Sequence, residues 1–141
     1  MKRSERPLGV VVMGSTGSVG LNTLKVIDHH PERFRVVGLA AYQNSELLAA
    51  QVRRYRPVGS ALFDPMKLRV NGNYGVPCWT GVDGLCRLAS LPEANVVVAA
   101  LSGTVGILPT YEAIRRRKRI ALAHKETLVA AVSRSMSASA P

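Results

Sequence analysis

Val10-Val11-Val12-Met13-Gly14-Ser15-Thr16-Gly17-Ser18-Val19-Gly20 decides how this chain is read. Three valines and a methionine make a short strand apolar on both faces. Three glycines then turn the backbone, and Thr23, Leu24, Val26 and Ile27 supply apolar positions for a helix. The spacing is G-x-x-G-x-x-G rather than the commoner G-x-G-x-x-G. In this reading Gly14 lets the strand turn tightly and Gly17 removes a side chain where a pyrophosphate would approach. Gly20 lets the helix pack closely on its strand. The first N–H groups of the helix, with the dipole behind them, suit phosphate oxygens. Ser15, Thr16 and Ser18 are read as further hydroxyl donors. The stretch does not fit a Walker-type loop, because Leu21 rather than lysine follows Gly20.

Strand and helix alternate outward from this unit. Leu8 to Met13 is the first strand, and a helix follows from about Ser18 to His29, closed by Pro31. Phe34 to Ala41 is the second strand. Asn44 or Ser45 caps a helix carrying Leu47, Leu48, Gln51 and Val52, which Pro57 ends. Ala61 to Phe63 reads as a third strand, Asp64-Pro65 as the opening of a short helix, and Val76 to Trp79 as a short strand. Gly81 to Ser90 is a helix with Val82, Leu85, Leu88 and Ala89 on its apolar face. Asn95 to Leu101 is a strong strand, and it leads into a second small-residue turn, Ser102 to Gly106. The next helix, Ile107 to Arg116, tolerates Pro109 in its first turn. Ile120 to Ala123 is a strand and Glu126 to Val132 begins another helix. This pattern predicts a doubly wound, mainly parallel α/β sheet with helices on both faces. Such a sheet binds ligands beyond the carboxyl ends of its strands, where the turns after Met13, Ala41, Leu101 and Ala123 would meet.

At 141 residues and 47% hydrophobic, the chain suits one domain with a real core. Its apolar runs are too short and too interrupted by charge to span a membrane. The basic start, Met1 to Pro7, runs straight into the first strand and reads as a tail before it rather than as a signal peptide. Cys78 and Cys86 have no zinc-like spacing, which fits a reducing, cytoplasmic setting. The net charge of +10 favours anionic partners in general. Its densest run, Arg115 to Arg119, reads as a solvated face ending a helix. No zinc-finger spacing, aromatic RNA-binding motif or recognition helix points to nucleic acid.

A site for the unphosphorylated nicotinamide cofactor usually places Asp or Glu at the end of the second strand. Here that strand runs into Tyr42-Gln43-Asn44-Ser45, with no carboxylate before Glu46. This tilts the reading toward the 2′-phosphorylated cofactor, with Gln43, Asn44 and Ser45 as hydrogen-bonding groups and Arg53, Arg54 or Arg56 reaching in from the helix.

Gly14 to Leu24 and Pro31 to Val37 resemble the opening of the 1-deoxy-D-xylulose 5-phosphate reductoisomerase family. Ser102 to Ile114 and Ile120 to Val129 resemble a second block of the same family, and the similarity runs to about Val132. The resemblance implies a Rossmann-like, NADPH-binding first domain. It implies an oxidoreductase of non-mevalonate isoprenoid biosynthesis that rearranges and reduces a sugar phosphate to 2-C-methyl-D-erythritol 4-phosphate. A homodimeric parent and a Mg2+ or Mn2+ ion that chelates the substrate oxygens are implied as well. Carried over by position, Gly14, Thr16, Gly17, Ser18, Val19 and Gly20 match the cofactor loop. Tyr42, Gln43 and Asn44 match the region at the adenosine end, and Gly103 lies in the second cofactor-facing turn. Lys125 matches a substrate-contacting lysine and Glu126 a cofactor-contacting glutamate. His124 stands where the family usually has asparagine and keeps one hydrogen-bond donor for the cofactor.

Two departures shape the expectation. Arg115-Arg116-Arg117-Lys118 stands where an Ala-Gly-Lys type of turn is usual, which should strain the helix exit. Beyond Val132 the family's metal-binding Asp-Ser-Glu segment does not follow, and Ser133 to Pro141 reads as an irregular tail. Residues 1–132 are therefore expected to be a cofactor-binding domain without metal ligands, a catalytic domain or a C-terminal domain, and inactive alone. The alternative is a dinucleotide-binding module without chemistry.

Overall fold

The computed structural model describes residues 6–68 and 74–122. Six strands form one wholly parallel sheet: β1 (Leu8–Met13), β2 (Phe34–Ala41), β3 (Gly59–Leu62), β4 (Cys78–Thr80), β5 (Val96–Ala99) and β6 (Arg119–Leu122). Their order is β4-β3-β2-β1-β5-β6. The chain therefore steps outward in one direction from β1 to β4, returns to the other side of β1, and continues outward. The reversal lies between β1 and β5.

Among the described residues, four helices serve as crossovers: α1 (Ser18–Asp28), α2 (Ser45–Tyr55), α3 (Gly81–Ala89) and α4 (Ile107–Arg115). One apolar layer joins Val10, Val12, Val36, Leu39 and Val98 to Leu24, Ile27, Leu48 and Val52 of α1 and α2. The other joins Val11, Met13, Val37 and Val97 to Leu85, Leu88, Ala89 and Ala113 of α3 and α4. Alternate residues of β1 thus enter opposite layers, as strand geometry requires. Val11, Val12, Val97 and Leu39 are completely buried, which accounts for their unbroken apolar sequence.

The alternation slips once. Val10 pairs with Val36 but Val11 pairs with Gly38, so β2 carries one extra residue at Val37. A side chain added at Gly38 would meet Leu88 at 3.0 Å, on the layer that Val37 already occupies. Leu39 then returns to the α1–α2 layer. The bulge keeps both halves of β2 in register with their cores.

Element types follow the sequence reading, while several bounds differ for local reasons. The third strand starts at Gly59 rather than Ala61, because its backbone continues beside β2 from Gly38 onward. The fourth begins at Cys78 rather than Val76, since Pro77 has no N–H to give and only its carbonyl is used, by Ser60 N–H at 2.9 Å. The first helix ends at Asp28 with His29 as its cap, and β5 is limited to Val96–Ala99. The expected strand end at Ala123, the helix from Glu126 and the tail from Ser133 lie outside the described residues.

Candidate functional site

All strands being parallel, their carboxyl ends share one edge. The turns after β1, β2 and β5 stand side by side there, at the reversal of strand order. Gly14 leaves β1 at φ +96°, in the region that favours glycine. An added Cβ there would lie 2.6 Å from the Ala100 carbonyl oxygen, so the turn presses directly on the exit of β5. The Gly14 and Ser15 N–H groups both donate to the Ala40 carbonyl at 2.8 Å, which ties the turn to β2 as well. Gly20 faces inward: a Cβ there would collide with the Gly14 carbonyl oxygen and come within 2.7 Å of Ser15 Cα. Helix α1 can approach its strand this closely only because position 20 is glycine.

Gly17 behaves differently. It is exposed, and a Cβ at this position would meet only the Gly14 carbonyl oxygen, at 3.8 Å. It is also the N-cap of α1, so no side chain caps the first turn, and that turn holds no acidic residue. Helix α2 shows the contrast, with Glu46 in its first turn and the Asn44 Oδ1 accepting from Leu47 N–H at 3.2 Å. The amino end of α1 therefore presents N–H donors and a dipole equivalent to about half a positive charge to solvent. Thr16 is half-buried and Ser18 exposed beside it, while Val19 packs into the α1–α2 layer.

Ser15 corrects the sequence reading. It is fully buried, its hydroxyl donates to Gln51 Oε1 at 2.7 Å, and Gln51 Nε2 donates back to the Ser15 carbonyl at 3.0 Å. That hydroxyl is committed to holding the turn and is not offered to a ligand. Gln51, buried on α2, is the residue that sequence reasoning missed. Its signal was a polar side chain on the Leu48–Val52 face of an otherwise apolar helix stripe.

At the end of β2, Tyr42, Gln43 and Asn44 are all exposed. The Tyr42 ring stacks on Phe63 with centroids 5.0 Å apart, and Asn44 spends its carbonyl oxygen on capping α2. The arginines of α2 do not reach this point. Arg53, Arg54 and Arg56 lie at the far end of α2, and eleven helical residues span about 16 Å. Arg54 pairs there with Asp28, the last residue of α1, at 2.9 Å. Tyr55 donates to the same carboxylate at 2.9 Å. Partial burial first, then that hydrogen bond and the Asp28 charge, push the Tyr55 phenol up to about 12.

Gly103 opens the second turn at φ +75°, with open space around it. A groove of about 380 Å³ lies beside it, lined by Met13, Ala99, Leu101, Tyr111 and Ile114 among others. Ile107, Leu108, Tyr111 and Ile114 on α4 are each more than half exposed. Residues Gly14, Thr16 to Gly20, Tyr42 to Asn44 and Gly103 thus gather on one edge. His124, Lys125 and Glu126 lie outside the described residues, although β6 delivers the chain to the same edge at Leu122. Among the described residues no three His, Cys, Asp or Glu side chains stand together as metal ligands. No described helix is long and apolar enough to cross a membrane. Burial raises both cysteine thiols, so neither is poised as a nucleophile.

The strand order and the glycine turn at its reversal define a Rossmann-like α/β domain. Residues 10–132 match the sequence profile of 1-deoxy-D-xylulose 5-phosphate reductoisomerase. The reductoisomerase of Trichlorobacter lovleyi is 42% identical over 126 residues, which cover 86% of this chain and 32% of that protein. That of Synechococcus sp. is 46% identical over 127 residues, with the same coverage of 86% and 32%. The solved reductoisomerase from Zymomonas mobilis in complex with NADPH superposes with a TM-score of 0.75 at 34% identity, over 92% of this chain and 35% of that one. A DOX-P reductoisomerase solved with NADPH, fosmidomycin and magnesium gives 0.73 at 29% identity, over 92% and 34%. The chain belongs to the 1-deoxy-D-xylulose 5-phosphate reductoisomerase family, and it spans about a third of the length of the curated relatives it matches.

Proposed function

We propose that these residues are the NADPH-binding portion of a 1-deoxy-D-xylulose 5-phosphate reductoisomerase, an enzyme of isoprenoid biosynthesis that rearranges and reduces a sugar phosphate. The observation that carries this reading is the uncapped amino end of α1 behind Gly17, at the reversal of strand order. Backbone N–H groups from Thr16 to Val19 receive the pyrophosphate, with the Thr16 and Ser18 hydroxyls beside them. Gly14 and Gly20 keep that turn against β1 and β5. Tyr42, braced by Phe63, gives the adenine a flat apolar surface. Gln43 and the Asn44 amide nitrogen donate to the 2′-phosphate, where a carboxylate would repel it. The groove beside Gly103 gives the redox end a largely dry wall. Bound NADPH supplies the hydride. His124 and Glu126 are proposed as further cofactor contacts and Lys125 as a contact to the substrate phosphate or a developing negative oxygen.

The division of labour is also proposed: this chain holds the cofactor, and the groups that bind metal and complete the reaction are not among its described residues. A dinucleotide-binding module without chemistry is the second reading, favoured by the same observation. Turnover by the 141-residue chain with NADPH, magnesium and substrate would decide against both the module and the division of labour.

Calorimetric titration with NADPH and NADH at matched salt tests the cofactor assignment, with NADPH expected to bind more tightly. Gly17→Asp sharpens it, since Gly17 has room for the side chain at φ −85°. Asp is a better cap than Gly by a few tenths of a kcal/mol, so stability should hold or rise by about that much. The added carboxylate should nevertheless weaken NADPH by about tenfold or more. Equal affinity of the variant and the parent chain would remove the turn from the binding site.

A further inference from the structure

The opposite edge of the sheet, at the amino ends of the strands, carries a cleft of about 300 Å³. Asn95, Arg116, Arg117, Lys118 and Arg119 line it, at the exit of α4 and the entry of β6. A run of cations at a helix end ordinarily serves the last carbonyls and the dipole. Here backbone N–H groups already meet two of those carbonyls. Arg117 N–H donates to Ile114 O and Lys118 N–H to Ala113 O, each at 2.9 Å, the pair of bonds that defines a Schellman ending. The side chains are left for something else.

Three further observations say what. Arg117 occupies the left-handed position of that ending, at φ +64°, where glycine is the usual residue. An arginine there is held against its backbone preference. Lys118 is tethered by donating one N–H to the Leu91 carbonyl at 2.8 Å, which fixes its ammonium at the wall of the cleft with two donors remaining. Acidic compensation is sparse: Glu112 is taken by Arg115 and Arg116 at 2.9 and 3.0 Å. Glu93 acts on Lys118 only at a distance. Among the described residues no carboxylate pairs with Arg117, Lys118 or Arg119. Burial and the Arg116 charge both work against the Lys118 ammonium, a strain that a bound anion would relieve.

We propose that this cleft binds a small di- or triphosphate anion, with Arg117, Lys118 and Arg119 as its cationic donors, independently of the dinucleotide turn. Guanidinium forks match phosphate oxygens in pairs, and the volume lies at the small end of the ~300–1,000 Å³ usual for small-ligand sites. A nucleic acid is a poorer match. The cations line one small concavity, and no aromatic ring lines it for base stacking. The six residues of β1 separate the two edges by about 17 Å, so the two sites do not compete for one anion.

The test is a residue-resolved NMR titration of the full chain with inorganic pyrophosphate, with and without NADPH. Saturable shifts are expected at the amides of Asn95 and residues 116–119, and they should persist when NADPH is present. Arg117→Gly removes one donor while relieving the left-handed position, so it should unfold at higher urea yet bind pyrophosphate about tenfold more weakly. Lys118→Gln should weaken it similarly. Shifts confined to residues 16–20, variants that bind as tightly as the parent chain, or duplex DNA that displaces pyrophosphate and binds more tightly would each overturn the assignment.

Discussion

The two turns that flank the reversal of the sheet are built in opposite ways. The turn after β1 is clamped from three sides: Ala40 accepts two of its N–H groups, Ala100 closes on Gly14, and Gln51 grips Ser15 through two buried hydrogen bonds. The turn after β5 is held more loosely, through Leu101 and Val105 packed on the α3–α4 layer. Gly103 stands in open space, and the helix it leads into shows Ile107, Leu108, Tyr111 and Ile114 to solvent. The first turn is held by these contacts without a ligand, which suits the phosphate-binding role proposed for it, because little binding energy would go into ordering it. The second combines the left-handed backbone of Gly103 with the packing of Leu101 and Val105, and it borders an apolar groove.

The largest effect should come from Gly20→Ala. The new methyl meets the Gly14 carbonyl oxygen and Ser15 Cα, backbone atoms that cannot step aside without moving α1. A loss of about 3 kcal/mol in urea unfolding is expected, with NADPH binding abolished in the folded fraction. Gln51→Leu comes next. It leaves the buried Ser15 hydroxyl and carbonyl without their partners, for about 2 kcal/mol. Weaker NADPH binding is expected although position 51 touches no ligand. An unchanged affinity would show that the clamp serves stability alone.

Gly103→Ala probes the open turn. It meets no atom within 4 Å, so the cost is confined to holding alanine at φ +75°, about 1 kcal/mol. If it matched Gly20→Ala in stability, the contrast between the turns would be false. The smallest effect concerns the far ends of α1 and α2, which Asp28 ties together through Arg54 and Tyr55. The Tyr55 phenol is raised from 10.0 to about 12, so the folded state favours its protonated form. This contribution is fully present below pH 10 and disappears as pH rises toward 12. Phenolate absorbance should show a late-titrating component from Tyr55, and Asp28→Asn should bring that component earlier.

Much of this was legible in the sequence because burial and backbone leave strong marks. The valine runs at 10–12 and 96–98 announced central parallel strands, and Gly14, Gly17 and Gly20 announced a turn needing close approach. The three glycines nevertheless do different work, and spacing alone does not separate a closed position such as 20 from an open one such as 17. Ser15 misled because a hydroxyl in a glycine turn looks the same whether it faces a ligand or the core. Its commitment depends on Gln51, 36 positions away. The arginines of α2 misled for a similar reason, since proximity along the chain placed them near β2 while the helix carried them to the other edge.

The central place of β1 has a consequence for the order in which the chain is made. Its inner neighbour β2 follows soon after, but its other neighbour, β5, begins only at Val96. The Asn95 side chain that accepts the Gly9 N–H is 86 positions downstream. At ~5–20 residues per second, synthesis takes about 4 to 17 s to cover that distance. Throughout that interval the apolar strand β1 has one unpaired edge. Emergence of β5 seals it and creates the reversal of strand order in the same event, so the proposed cofactor cradle and protection from edge-to-edge association arrive together.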